Sequence, residues 1–300
     1  MSKPTSFALG IDLGGTNLRM GIVDGTGHVA DFHSQPLDAT LDAEETVRAI
    51  DMVAQKFGLI RRALGIGLGL ATSLLPGGIA QPGQSARPAL ASIPLHASIS
   101  TALGLPCVID NDANAALHGE AHFGAARGFL DVLLLTLGTG LGAGLMLGGR
   151  IRRGTHASAA EIGLAQIASP AAPEYVSLET LISARPLMIE LGDPQGDVFA
   201  YAAAGEPRAA AFLKDMFEHL GLTIANAHVL LDLELVLFGG GMSRVGEPLI
   251  DGVREAFARI CPRDLQFGLR FASSALGPDR GGVVGAATLW FEEAGILPRL

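Results

Sequence analysis

Two stretches of this chain repeat one plan: an apolar run, a turn of glycine and threonine, then a second apolar run. The first, GIDLGGTNLRMGIVDGTG, covers Gly10 to Gly27, and the second, VLLLTLGTGLGAGLMLGGR, covers Val132 to Arg150. Residue identity between them is low, but the order of parts recurs, which points to a duplicated α/β domain. A plain hairpin turn needs only Asn-Gly or Asp-Gly, and Asp24-Gly25 already supplies one. The earlier Asp12-Leu13-Gly14-Gly15-Thr16 must serve another purpose. Two glycine-threonine turns would each present backbone N–H groups to an anion. Glycine lets the chain come close, and threonine adds a hydroxyl donor. A carboxylate beside a bound phosphate would repel it unless a divalent cation sat between them. Asp12 is therefore expected to hold Mg²⁺ through metal-bound water, while Gly14, Gly15 and Thr16 cradle phosphate. The plain alternative is a glycine-rich hairpin with a surface acid.

Composition excludes several classes. Of 300 residues, 49% are apolar and 17% charged, which suits sizeable cores and argues against disorder. A formal charge of −9 with no basic run argues against nucleic-acid or anionic-membrane binding. Cys107 and Cys261 stand far apart and read as reduced thiols rather than a disulfide. Lys3 is followed by a short apolar run that meets Asp12, so no signal peptide is expected. The apolar stretch Leu133 to Leu147 is short and glycine-rich for a membrane span of roughly 20 residues. The expectation is a soluble, cytoplasmic protein.

Strands are expected at Phe7–Asp12, Leu18–Val23 and Val29–Ser34, joined by glycine turns. Asp42 and Glu45 form a capping box ahead of Val47, Ile50, Ala54 and Phe57 at helical spacing. A buried strand at Leu64–Leu70 precedes a Pro/Gly-rich loop from Pro76 to Pro94, then a strand at Cys107–Asp110 and an alanine-rich helix. Later come a long helix from about Pro207 to Leu231, a strand at Leu235–Phe238, and a helix from about Gly246. The alternation implies α/β architecture. The boundary is placed at residues 113/114, giving domains 1–113 and 114–284, with a terminal helix of about 285–300 packing back on the first.

Asp112, where a strand meets a helix, suits either a base that takes a hydroxyl proton in phosphoryl transfer or an ordinary N-cap. His118 and His122, four apart on that helix, lack an evident third ligand and read as surface histidines. Arg152 and Arg153 read as solvated charges, and the Ala209–Leu231 stripe reads as core.

Taken together, GIDLGGTNLRMGIVD, IDNDANAA, LGTGLGAGLMLGGRIRRGTHASAAEIG and LVLFGGGMS, in this order and spacing, resemble the ROK family (repressors, open reading frames and sugar kinases) of the actin-like ATPase superfamily. The resemblance covers most of the chain. It implies two actin-like (ribonuclease-H-like) α/β domains with an ATP and sugar cleft between them, and a homodimer. It also implies ATP- and Mg²⁺-dependent phosphorylation of a hexose, usually at the 6-hydroxyl. Asp112 would then be the general base, and Asn111, Glu161 and Glu179 would contact the sugar. His156 lies inside the matched sugar motif and would have a polar role near the substrate. Thr139 and Gly140 would approach the γ-phosphate, with Gly240 and Gly241 against the adenosine side. Family regulators carry a helix-turn-helix ahead of this body, and a strand starting near residue 7 leaves no expectation of one. A catalytically silent sugar-binding or scaffolding protein is the alternative.

The chain departs from the family pattern in three places. The histidine expected three residues after Glu161 is Leu164, and AQIASPAAPEYVSLE carries no cysteine, so no zinc site of three Cys and one His is expected. Ala157 and Ala160 stand where the family has glycines. Pro88-Ala89-Leu90 replaces Pro-Asn-Leu, removing a sugar-binding Asn. Leucine at 164 cannot hydrogen-bond a sugar hydroxyl, so relaxed discrimination at carbons 1 and 2 is expected.

Overall fold

Alternation decides how the first strand is used. In β1 (Phe7–Leu13) Leu9, Ile11 and Leu13 face one side and join a core with Ile50, Val53, Leu90, Leu95 and Ile99. Ala8, Gly10 and Asp12 face the other. The computed structural model describes residues 6–75, 77–138, 140–168 and 175–300. After β1 come β2 (Asn17–Asp24), β3 (Val29–Pro36), α1 (Ala43–Lys56), β4 (Ile66–Leu70), β5 (Thr72–Leu75), β6 (Ile79–Ser85), α2 (Leu95–Leu103), β7 (Cys107–Asn111) and α3 (Asp112–Phe123). The strands β8 (Val132–Leu137), β9 (Leu141–Leu147), β10 (Arg150–Ile151), β11 (Gln166–Ala168) and β12 (Tyr175–Ser177) follow. The chain ends with α4 (Leu178–Ile182), α5 (Arg185–Glu190), α6 (Val198–Ala203), α7 (Pro207–Leu231), β13 (Leu235–Gly239), α8 (Glu247–Ile260), β14 (Arg270–Ser273) and α9 (Gly277–Glu293).

Contacts divide the chain into one unit of residues 1–130, 144–160 and 274–300, and another of 131–143 and 161–273. The first holds a sheet of order β3-β2-β1-β4-β7, with β1, β4 and β7 parallel. Glycines explain how its second face is covered. Gly21, Gly10 and Gly67 lie side by side across β2, β1 and β4. A Cβ on Gly10 would stand 2.1 Å from the Val283 carbonyl oxygen, and one on Gly67 would stand 1.7 Å from that of Ala286. The missing side chains let α9 lie directly on the strand backbone. Many of the chain's glycines look like turn formers, but these three make a seat for a helix.

The expected boundary at 113/114 falls inside α3, and the structure places it elsewhere. A Cβ on Gly119 of α3 would come within 2.9 Å of Gly285 in α9, so these helices are locked together and stay with the first sheet. The capping box forms as expected: the Asp42 side chain accepts from the Glu45 N–H at 2.8 Å, and Glu45 returns a bond to the Asp42 N–H. The region expected as a loop from Pro76 to Pro94 contains the β5–β6 hairpin and a short 3₁₀ turn at Pro88–Leu90. Its turn uses Gly77 and Gly78 at φ 88° and 71°, a conformation that a lone reading of Pro/Gly content does not separate from irregular loop.

In the second unit, β13 runs parallel to both β8 and β14, with Leu235 opposite Val132 and Arg270. Leu133, Leu135, Val236 and Phe238 are buried there, as are Ala209, Leu213, Met216, Leu220 and Ile224 of α7. The α7 stripe is core, as its spacing suggested. Among the described residues no helix is long and apolar enough to cross a membrane.

Candidate active site

Three parallel strands of the first unit end in one row. Asp12 on β1 is opposite Gly69 on β4, which is opposite Asp110 on β7. Open α/β sheets bind ligands at the carboxyl ends of such strands. On the other side of Asp12, across the hairpin, stands Arg19, whose Nη1 donates to Asp12 Oδ2 at 3.1 Å. Burial pushes the Asp12 carboxyl above its ordinary pKa, and Arg19 works in the opposite direction. The crowding includes α9, since a Cβ on Gly282 would come within 2.5 Å of Asp12 Oδ2. A buried carboxylate short of positive charge suits a cation. Mg²⁺ commonly takes one or two carboxylates, with water and substrate phosphates completing its shell. Among the described residues no group of three or more His, Cys, Asp or Glu forms a metal cage, so any cation here would need that open type of site.

The first turn closes through the Gly14 N–H donating to the Asn17 carbonyl at 3.0 Å. Thr16 is exposed, and its Oγ1 accepts from Asn17 Nδ2 at 3.0 Å. Neither Gly14 nor Gly15 has positive φ. What Gly15 provides is closeness, because a Cβ there would press within 3.2 Å of the Ala86 methyl. Beneath the turn lies a residue that sequence reading missed. Arg87 is 0% exposed, and its guanidinium donates to the carbonyls of Gly14 (2.8 Å), Asp38 (2.8 Å) and Leu37 (3.1 Å). Burial lowers its pKa, and the neighbouring Asp38 carboxylate opposes that.

At the end of β7, the residue that caps α3 is Asn111. Its Oδ1 accepts from the N–H groups of Ala113 (2.9 Å) and Asn114 (3.1 Å), and its Nδ2 donates to the Thr72 carbonyl at 3.2 Å. The N-cap alternative for Asp112 is thereby corrected: Asp112 is the first residue of the helix, and Oδ1 accepts from the Ala113 N–H at 2.9 Å. Beside Asn111 is a cavity of about 260 Å³, lined by Leu74, Ile109, Asp110, Asn114, Arg153 and Thr155 among others.

Two histidines expected at the surface, His118 and His122, belong instead to a polar network behind this cavity, and Arg153, exposed as expected, joins that network through its inner nitrogens. His118 is 1% exposed, and its Nδ1 lies 2.8 Å from Glu292 Oε1. His122 Nε2 reaches the same oxygen at 2.9 Å. Arg153 pairs with Asp110, its Nε donating to Oδ2 at 2.7 Å and its Nη2 to the same oxygen. Arg152 does lie on the surface, donating to the Leu147 carbonyl at 3.1 Å. Burial opposes the Glu292 charge, but the hydrogen bonds from His118 and His122 and the attraction of those two rings together outweigh it and bring the carboxyl from 4.5 down to about 2. Because the folded-state value is depressed, this contribution to stability is present above about pH 4.5 and is lost as pH falls toward 2. Glu292→Gln is expected to flatten that acid limb, which urea melts between pH 2 and 6 would show.

The segment after Arg153 carries the two alanines that replace family glycines. Ala157 and Ala160 adopt φ of 54° and 67°, the left-handed region that glycine enters freely. A Cβ there costs roughly 1–2 kcal/mol. Ala160→Gly is expected to stabilise the fold by about 1 kcal/mol and to raise Tm by roughly 2–4 °C, measurable by thermal melting. His156 is exposed between Thr155 and Ala157, which both line the cavity.

In the second unit, Thr139 lies outside the described residues. Gly140 sits against Glu179: a Cβ would fall 2.4 Å from its Oε2, which accepts from the Leu141 N–H at 2.8 Å. Glu161 begins the 3₁₀ turn Ile162–Leu164, and a Cβ on Gly163 would meet the Leu141 carbonyl oxygen at 2.5 Å. Both glutamate-bearing segments therefore converge on the second glycine-threonine turn. Leu164 is 42% exposed at the position of the family histidine, and residues 169–174 of the segment read as lacking a zinc loop lie outside the described residues. Gly240 has φ 77° and packs on β8, where a Cβ would strike the Leu137 carbonyl oxygen at 2.4 Å. Beside Gly241 there is open space.

A mixed α/β fold with this pair of turns defines a recognisable class. The ROK family model matches residues 8–293, and the chain belongs to that family. Its fold is the actin-like one of the family's solved structures. A glucokinase from Streptomyces griseus, solved with glucose and AMPPNP, superposes with a TM-score of 0.78 at 29% identity, covering 95% of this chain and 99% of that one. The glucokinase of Streptomyces coelicolor is 28% identical over 94% of this chain and 97% of its own length. The bifunctional enzyme NanE/NanK of Brucella melitensis is 32% identical over 96% of this chain. The chain spans about half (54%) of that enzyme's length.

Proposed function

We propose that this chain is an ATP-dependent hexose kinase that transfers the γ-phosphate to a sugar hydroxyl, the 6-hydroxyl in our reading. The observation that carries this is the place of Asp112: two residues beyond the row of strand ends containing Asp12, with helix capping handled by Asn111. In the reaction, the Asp112 carboxylate takes the hydroxyl proton as the sugar oxygen bonds to the γ-phosphorus. The bond from that phosphorus to the bridging oxygen breaks, and ADP leaves with the electron pair. Asn111, Glu161, Glu179 and His156 contact the sugar. Gly14, Gly15, Thr16, Thr139 and Gly140 serve the phosphates, with Gly240 and Gly241 on the adenosine side. Asp12 holds Mg²⁺ through water, and the ion neutralises phosphate charge when bound. We assign no zinc and place the enzyme in the cytoplasm as a homodimer. Relatives named as glucokinases, and one solved with glucose and AMPPNP, support the reading.

A coupled ADP-release assay over glucose, mannose, allose, fructose, N-acetylglucosamine and N-acetylmannosamine tests it. Sugar-dependent ADP release is expected. If all the sugars leave ADP release at the buffer level while one or more binds, the chain is a silent sugar-binding protein.

A further inference from the structure

The cavity beside Asn111 contains a cation whose geometry is over-determined. Arg153 Nε and Nη2 both donate to Asp110 Oδ2, and Nη2 also lies 3.1 Å from His118 Nε2. A guanidinium has only donors, so His118 Nε2 must be the acceptor there and its proton must sit on Nδ1. Nδ1–H then donates to Glu292 Oε1 at 2.8 Å, which fixes the tautomer from the other side. Glu292 is kept anionic by His118 and His122, so this end of the chain of bonds is permanently charged at neutral pH. Arg153 has five N–H donors, and those of Nη1 have no protein partner among the described residues. The residue lines the cavity and its side chain is 46% exposed. A rigid, half-exposed fork beside Asn111 offers a pair of donors to a ligand rich in hydroxyl or carbonyl oxygens.

We infer that Arg153 contacts the sugar and helps decide which sugar is taken, and that Glu292 positions it through His118. The inference rests on the kinase reading only for the ligand's being a sugar. His118 is faced by Glu292 from α9, by Arg153, and by Asp110 from β7 at 3.9 Å, with His122 on its own helix sharing Glu292.

The test measures sugar binding without nucleotide, by isothermal titration, beside steady-state kinetics. Arg153→Met is expected to weaken sugar binding roughly 10- to 100-fold, as loss of charge-assisted hydrogen bonds does. The KM for ATP should stay within about threefold of wild type. Arg153→Lys keeps a charge beside Asp110 but lacks the planar fork. It should fold and still bind sugar at least about fivefold more weakly than wild type. His118→Leu, which removes the acceptor facing Arg153 Nη2, should weaken sugar binding, and His118→Gln, which keeps a carbonyl acceptor, should largely restore it. Glu292→Gln should raise the sugar KM with kcat little changed, whereas a merely structural role would lower Tm and leave the sugar KM as it is. Unaltered sugar binding in Arg153→Lys and Arg153→Met overturns the assignment, as does failure of wild type to bind any sugar of the panel. Binding without phosphorylation sinks the kinase reading alone and leaves Arg153 measurable.

Discussion

On the proposed kinase reading, replacing Asp112 with asparagine is expected to lower kcat for sugar phosphorylation by on the order of 10²- to 10⁴-fold and to leave the affinities for sugar and ATP within a few-fold of wild type. The size follows from the step that reading gives it. A sugar hydroxyl is a weak nucleophile, and an amide in place of the carboxylate cannot accept its proton. Geometry makes the expectation specific to one residue. Asn111, its neighbour, caps the helix with bonds of 2.9 and 3.1 Å to Ala113 and Asn114. Asn111→Ala therefore costs stability, about 1 kcal/mol for a lost N-cap, in addition to any loss of sugar contact. Asp112→Asn keeps the shape and the helical position, so its melting temperature should stay near wild type. Titration calorimetry for both ligands, with kcat from ADP release, separates the two variants. More than a tenth of wild-type kcat in Asp112→Asn would remove Asp112 from the role of base.

The same pair of residues shows what a sequence can and cannot convey. Asn111 and Asp112 are adjacent and chemically alike as caps, and a shift of one residue in the helix start exchanges their roles. Local features were legible because their causes are local. The capping box needs residues three apart, and the glycine-threonine hairpins carry their own strands and turns. The polar network was not legible, because Glu292 reaches His118 from 174 residues away. Without that carboxylate, a buried histidine pair looks like a solvated helix face. The glycine row of Gly21, Gly10 and Gly67 was equally hidden: each residue sits inside an apolar run, and only strand register places the three together under α9. The return of the terminal helix to the first sheet was expected, but that α3 stays with that sheet was not, because only the close approach of Gly119 to Gly285 ties the two helices together.

Arg87 extends that argument to the phosphate turn and gives the largest expected effect on stability. Its side chain is fully buried and satisfies the carbonyls of Gly14, Leu37 and Asp38. These groups lie on two stretches, the first turn and the Leu37-Asp38 segment after β3, which the backbone joins only through the Asn17–Pro36 pairing and the Leu37 N–H bond to the Thr16 carbonyl at 2.9 Å. Arg87→Met fills much of the same volume but leaves those acceptors without their donor. Each buried, unsatisfied polar group costs about 1–3 kcal/mol, set against relief from desolvating a guanidinium. A net loss of roughly 3 kcal/mol is expected, equivalent to a fall in Tm of roughly 6–12 °C. Lysine should not rescue it, because one ammonium cannot reproduce a planar fork that reaches three carbonyls at once. Function supplies the second readout. With Gly14 released, the turn that the kinase reading gives to phosphate loses its support, so the KM for ATP should rise more than the KM for sugar. Urea melts and paired KM measurements on Arg87→Met and Arg87→Lys decide the matter. A loss below about 1 kcal/mol, or KM values rising equally, would show that the turn holds its shape without the buried arginine.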